Sequence, residues 1–426
     1  MVNLTKDSLA TILICSNLGL NYRNEIKLSP LTVNQWNKIK EKIAYSPLKR
    51  PEALFFTSPS DWKKELFLND DEVARLQQLL DRAGQVGIEI EQLASKGIFI
   101  TTRAEPTYPE RLKQVLKKFA PPVLYYSGNL ALLKSNAVAV AGSREIDATA
   151  ADFTGILAKK AVDSGMQVVS GGAKGVDSLS QDTALKAGGK VIAVLSDGLS
   201  NKLKSREARE AVLQNKLLLF SAAHPTAHFS VYSAMDRNKY IYALADFAVV
   251  VSSSDNKGGT WAGATENLKY RWVPLFVRQD AAVPVGNEKL LQMGAKPITG
   301  DLLNDSSINL YDWFNANHSG MIYPQEDSQL SLESYISEER AEMISNDFDN
   351  GGDIGTGTDK KTDLFEVCWT YLARELAQPR TSQELARTFN LQESQADVWL
   401  QRAVAEGKVR KFQDTNRYGL VNVIEG

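Results

Sequence analysis

From about Asn136 onward, short and continuously apolar runs alternate with stretches of helical periodicity. The runs are AVAVAG (137–142), MQVVSGG (166–172), KVIAVLSDG (190–198), KLLLFS (216–221), DFAVVVSSS (246–254) and WVPLFV (272–277). A strand with one wet face alternates apolar and polar residues, whereas these runs are apolar throughout, so both of their faces must be covered. Helical stretches near 148–164, 176–187 and 207–214 supply the cover. The pattern predicts an α/β fold built on a parallel sheet with helices on each side.

The remaining sequence divides around this block. Residues 1–97 are polar with helical spacing, as in LTVNQWNKIKEKI and NDDEVARLQQLLDRAGQVGIEIEQLASKG, and the latter has Asn69 or Asp70 as its cap. They read as an N-terminal helical domain, followed by the sheet domain over 98–317. Residues 318–360 are acidic, rich in Gly, Ser and Asn, and without apolar periodicity, which predicts a disordered linker. Residues 361–426 carry three short helical patterns and a possible hairpin, the outline of a winged helix, with Thr381 or Ser382 and Glu384 as a cap.

Charge narrows the function classes. The 49 basic residues nearly cancel the 51 acidic ones, so any nucleic-acid site must be a local patch. The two cysteines, Cys15 and Cys368, lie far apart, and the only histidines are His224, His228 and His318. That inventory argues against a His-rich metal centre and points to inert thiols in a reducing compartment. The start has no secretory pattern and no run is long enough to span a membrane, so a soluble, cytoplasmic protein is expected.

Candidate binding residues gather at strand ends. In open α/β sheets ligands lie beyond the carboxyl ends of the strands. Gly142, Ser143 and Arg144 follow the first run, and arginine there offers a planar fork suited to phosphate. After the second run come Gly171, Gly172, Ala173, Lys174 and Gly175, where small residues leave backbone N–H groups free to surround an anion. The spacing is neither a Walker A loop nor the Gly-x-Gly-x-x-Gly fingerprint. Gly258, Gly259 and Thr260 repeat the pattern after the fifth run, and Arg237, Asn238 and Lys239 are placed at the start of an amphipathic helix. Each loop alone also fits a tight strand-to-helix turn, but three at successive strand ends argue for one phosphate-binding surface. Phe229, Tyr232, Tyr240 and Trp261 are candidate stacking residues for bases.

Together these motifs resemble the DNA-processing protein A family (DprA, or Smf). The resemblance covers roughly residues 100–300 and begins with TYPERLKQVLKKFAPPVLYYSGN (107–129). It continues through VAVAGSR, VVSGGAKGVDSLSQDTALKAGGKVIAVL and DRNKYIYALAD, and ends with GGTWAGA, VPLFV and GNEKLLQMGAKPI. It implies an extended Rossmann-like fold that needs no cofactor, binds single-stranded DNA, helps load a RecA-type recombinase and forms a homodimer. Ser143 and Arg144 fall on that family's Gly-Ser-Arg phosphate contact. Arg237, Asn238 and Lys239 fall on its Arg-Asn-Arg element, and Lys174 on a basic loop position. The chain departs from the family pattern at Ser180-Gln181 (usually Ala-His), at Ser221-Ala222 (usually Ser-Glu) and at GGTWAGATEN.

A second reading is an enzyme or sensor for free nucleotides. Phosphoribohydrolases share this fold and carry Pro-Gly-Gly-x-Gly-Thr-x-x-Glu. Here Glu266 stands one residue further from its glycine pair, which turns a helical side chain by about 100°. A third reading makes the winged helix the DNA reader. Its helix ESQADVWLQRAVAEG is poorly basic, and Lys408, Arg410, Lys411 and Arg417 follow it, which suits protein docking or weak duplex contact better than base readout.

Overall fold

The computed structural model describes residues 3–20 and 28–318, and parts of 362–421. A nine-stranded sheet forms its centre. In chain order its strands are β1 (Phe99–Thr102), β2 (Val123–Ser127), β3 (Ala137–Ala141), β4 (Gln167–Ser170), β5 (Val191–Val194), β6 (Leu217–Ser221), β7 (Phe247–Val250), β8 (Leu275–Arg278) and β9 (Lys296–Ile298). Their spatial order is β9-β8-β7-β3-β4-β5-β6-β2-β1. The pairings from β9 through to β6 are parallel, and β2 and β1 close one edge as an antiparallel pair.

Burial explains the unbroken apolar runs. Along β3, Val138 and Val140 enter one hydrophobic core and Ala137 and Ala139 the other. The first core is covered by the helices Ala148–Asp163, Val176–Lys186 and Leu310–Asn317, and the second by Val231–Ala243 and Gly258–Tyr270. The expected helices near 148–164, 176–187 and 207–214 are thus observed within a residue, the last as Arg206–Leu213.

The N-terminal helices share the first core with β1 and β2 through residues such as Leu13, Ile43, Ile100 and Tyr125. Buried polar contacts join them as well. Glu105 accepts hydrogen bonds from Thr5 N at 2.7 Å and from Thr5 Oγ1 at 2.9 Å, and the hydroxyls of Ser8 and Thr102 meet at 2.7 Å. The long helical pattern over 69–97 is two helices, Asp70–Leu80 and Ala83–Ser95. Asn69 and Glu72 form the capping box of the first. The break falls at Arg82, whose buried guanidinium donates to the carbonyls of Leu13 and Leu18.

The acidic stretch expected as a linker lies outside the described residues from 319 onward. Beyond it, the described residues include the helices Ser382–Thr388 and Glu393–Ala405 and an antiparallel hairpin of Val409–Phe412 with Arg417–Leu420. Thr381 and Glu384 exchange the hydrogen bonds of a capping box. Most of the first helix expected there falls on undescribed residues.

The Leu310–Asn317 helix tests how the sheet's far side is closed. Phe314 is fully buried, with its ring centroid 4.9 Å from that of Phe247 and 4.6 Å from that of Phe276. Phe314→Ala is expected to lower the unfolding free energy by about 3–5 kcal/mol, measured by urea denaturation. A loss below about 1 kcal/mol would show that this helix adds no core.

Candidate nucleic-acid interface

The strand order reverses beside β3. The chain runs outward from β3 through β4, β5 and β6, then returns to lay β7 on the opposite side of β3. In an open α/β sheet the loops leaving two such strands diverge to opposite faces and open a crevice. Here the crevice is a cleft of ≈ 730 Å³. Its walls include Gly142, Ser143 and Arg144 after β3, and Lys257, Gly258, Gly259 and Thr260 after β7. The Val231–Ala243 helix crosses it with Arg237 and Asn238. All four sequence elements therefore meet in one place, the second through Ala173 alone of its named residues.

The glycines act mainly by letting these elements approach. A Cβ on Gly142 would lie 2.4 Å from Val176 Cγ2, and one on Gly175 would lie 2.3 Å from the Ser143 carbonyl oxygen. Gly175 also has φ +81°, a conformation that side chains disfavour. The two loops interlock, and Val176 N donates to Ser143 O at 3.2 Å. This lock sets the direction of Arg144, whose exposed guanidinium stands 5.2 Å above the ring of exposed Phe229.

Arg237 is the buried counterpart, only 6% exposed. Its guanidinium occupies the space of an absent side chain, since a Cβ on Gly171 would fall 1.5 Å from its Nη1. Asp177, also buried, lies 3.8 Å from that nitrogen. Burial lowers the pKa of Arg237 against the pull of Asp177, and burial raises that of Asp177 against the pull of Arg237. Ala173 N points at the Asp177 carboxylate at 3.4 Å, and Gly171 N–H also favours its charged form. The glycine-rich loop expected to surround an external phosphate with Gly171 and Gly172 thus already faces an anion, the chain's own Asp177.

The other candidates separate. Asn238 donates from Nδ2 to Gly259 O at 2.9 Å and so fastens the third loop. Lys174 is exposed and is not among the cleft-lining residues. Arg237, Asn238 and Lys239 lie inside their helix, which begins six residues earlier than Arg237, at Val231, rather than at its start. Lys239 consequently points elsewhere, pairing with Asp236 and lying 5.4 Å from the Tyr240 ring centre. Tyr240 is buried and donates to Asp236 Oδ2 at 2.7 Å, so it offers no stacking face, whereas Tyr232 is 82% exposed and Trp261 lines the cleft. Glu266 does not line the cleft. Burial raises its pKa, and its charged neighbours are Lys239, Asp236 and Lys269.

Sequence reasoning did not single out Asp177, Lys257 or Tyr242, all of which line the cleft. Asp177 had a signal, as a carboxylate two residues into a helix that follows a glycine loop. Among the described residues no group of three or more His, Cys, Asp or Glu side chains is arranged to hold a metal, and no helix is long and apolar enough to cross a membrane.

Fold and cleft together define an open, doubly wound α/β protein with a crevice at its switch point, lined by Arg144, Arg237 and Lys257. Within that class, residues 99–306 match the family model described as DNA recombination-mediator protein A. The DNA processing protein DprA of Streptococcus pneumoniae (strain ATCC BAA-255 / R6) is 33% identical over 156 residues, 35% of this chain and 53% of that protein. DprA of Bacillus subtilis (strain 168) is 27% identical over 212 residues, 48% of this chain and 69% of that protein. The chain thus spans about half the length of the first relative and two thirds of the second. The X-ray structure of DNA processing protein A from Streptococcus pneumoniae overlays on 70% of this chain and 95% of its own, with a TM-score of 0.52 at 23% identity, and shows the same fold.

Two glycines at opposite ends of the 171–175 loop should respond differently to a methyl group. At Gly175 it meets backbone and a positive φ; at Gly171 it meets the end of an arginine side chain. Gly175→Ala is expected to cost about 2–3 kcal/mol of stability and Gly171→Ala about 1 kcal/mol, measured by urea unfolding. The reverse ranking would mean that the Arg237 seat, rather than the loop interlock, holds the site together.

Proposed function

We propose that the cleft binds the backbone of single-stranded DNA, and that the protein is a non-enzymatic recombination mediator that hands the strand to a RecA-type recombinase. The observation that carries this reading is the Arg144–Phe229 pair: an exposed guanidinium over an exposed ring at the cleft mouth. Single-strand binders combine a cationic track with aromatic faces on which bases stack. Tyr232, at 82% exposure, and Met235, at 49%, extend the apolar surface along the same helix. Arg144 and Lys257, both exposed, supply the cations. The description of the family matched by residues 99–306 supports the mediator role.

The nucleotide-enzyme reading gains no observation, because its only carboxylate candidate, Glu266, lies outside the cleft lining. In the proposal, residues 361–426 form a winged helix for docking or weak duplex contact, reached through the acidic linker, and the active species is a homodimer. Sedimentation of the full chain tests the last point.

The DNA site is tested by fluorescence anisotropy with labelled oligonucleotides. Arg144→Ala should weaken binding about tenfold or more, the value of one charge-assisted hydrogen bond. For single strands each phosphate contact contributes about −0.7 to the slope of log affinity against log salt. Arg144→Ala combined with Lys257→Ala should therefore give a slope shallower by about 1.4, whatever the base sequence. Lys239→Ala should leave the slope unchanged, because that lysine faces Asp236. If oligonucleotides fail to bind while a free nucleotide binds well, the cleft is a nucleotide pocket.

A further inference from the structure

Two side chains that line the cleft each carry a buried polar atom without a partner among the described residues: Nε of Arg237 and the hydroxyl of Tyr242. Their residues are 6% and 2% exposed. A buried donor left unmade costs about 1–3 kcal/mol, so two in one cleft call for an acceptor. Tyr242 is held from both sides. Its ring lies against the Gly258–Tyr270 helix, where a Cβ on Gly263 would sit 3.1 Å from Tyr242 Cε2, and its centroid is 6.5 Å from that of Trp272. Burial raises the phenol's pKa, so it remains a proton donor at neutral pH. The same cleft is lined by the first turn of that thirteen-residue helix, where no side chain caps the amides of Gly258, Gly259 and Thr260. Unsatisfied amides and the helix dipole there favour an anion.

The depth of these donors limits what can reach them. A phosphate inside a strand is a diester with one charge and two free oxygens, and it carries a sugar on either side. It can meet Arg144, which is exposed at the mouth. To reach Arg237 and Tyr242 it would have to bring both sugars in with it. A phosphate monoester enters end-on, with three acceptor oxygens and a charge near −2 at neutral pH. Carboxylates also line the cleft, Asp177 beside Arg237 and Glu145 near the mouth. The cations Arg144, Arg237 and Lys257 outnumber these two.

We infer that the cleft floor, through Tyr242, Arg237 and the start of the Gly258–Tyr270 helix, is a site for a phosphate monoester, either the phosphorylated end of a DNA strand or a free nucleotide. The strand-end form rests on the nucleic-acid reading above.

The test measures affinities of the full chain for three otherwise identical oligonucleotides, labelled internally, with a 5′-phosphate, a 3′-phosphate or hydroxyls at both ends. Thymidine monophosphate serves as competitor. One phosphorylated end should bind roughly tenfold tighter than the hydroxyl-ended strand, as one charge-assisted bond implies. In Tyr242→Phe that advantage should fall below about threefold, while the hydroxyl-ended strand binds as before and the unfolding midpoint stays at or above that of the wild type. Competition by thymidine monophosphate at the concentration of the phosphorylated strand assigns the site to free nucleotides; its failure to compete assigns it to strand ends. Equal and tight binding of all three strands overturns the inference and leaves the DNA reading standing. So does an end advantage that survives in Tyr242→Phe. Binding of the nucleotide with no binding of any strand overturns the DNA reading and leaves the monoester site in place.

Discussion

A buried guanidinium needs room, a counter-charge and a reason to stay. Arg237 finds room above Gly171, where no Cβ competes for the space, and a counter-charge in Asp177 at 3.8 Å. That pair is not a source of stability, since desolvating both ions offsets most of their attraction. Its effect is positional. Gly171 follows β4, Asp177 opens the helix after it, and Arg237 comes from the helix that precedes β7. The three tie both sides of the switch point to one spot beneath the cleft. The adjoining interlock of Gly142 with Val176 and of Gly175 with Ser143 then directs Arg144 outward over Phe229.

The cleft therefore has two tiers of cations with different physics. Arg144 and Lys257 are exposed, so their attraction for any anion is screened by salt. Arg237 is enclosed, so its attraction is screened less and depends more on what fits. With a net charge of −2, the whole molecule offers no long-range steering. In the proposed function, capture of a strand falls to the rim and selection to the floor.

Much of the architecture was legible before any coordinates. Six apolar runs became strands of the sheet because each is apolar through its own burial on two faces, a property local to four or five residues. Helix positions followed for the same reason. The three stretches named at strand ends do join a strand to the helix that follows, and each contributes to the lining of one cleft, with Arg237 and Asn238.

Pairing between distant segments was not legible. Nothing in DFAVVV announces that β7 lies beside β3 instead of beyond β6, because helices on opposite faces set that choice. Lys239 is adjacent to Arg237 and Asn238 in sequence, yet one helical step of about 100° separates neighbours, and Lys239 turns to Asp236. Gly171 carried the mark of an anion site, but its amide faces an anion from the same chain. Tyr242 reads along the chain as one more apolar position in YIYALAD. Only the packing of its helix against the one that begins at Gly258 brings Tyr242 to the cleft lining with its hydroxyl buried and unpartnered among the described residues. Local burial can be read from a sequence because a residue's own chemistry expresses it. The partner of a buried polar atom cannot, because it depends on which other segment arrives.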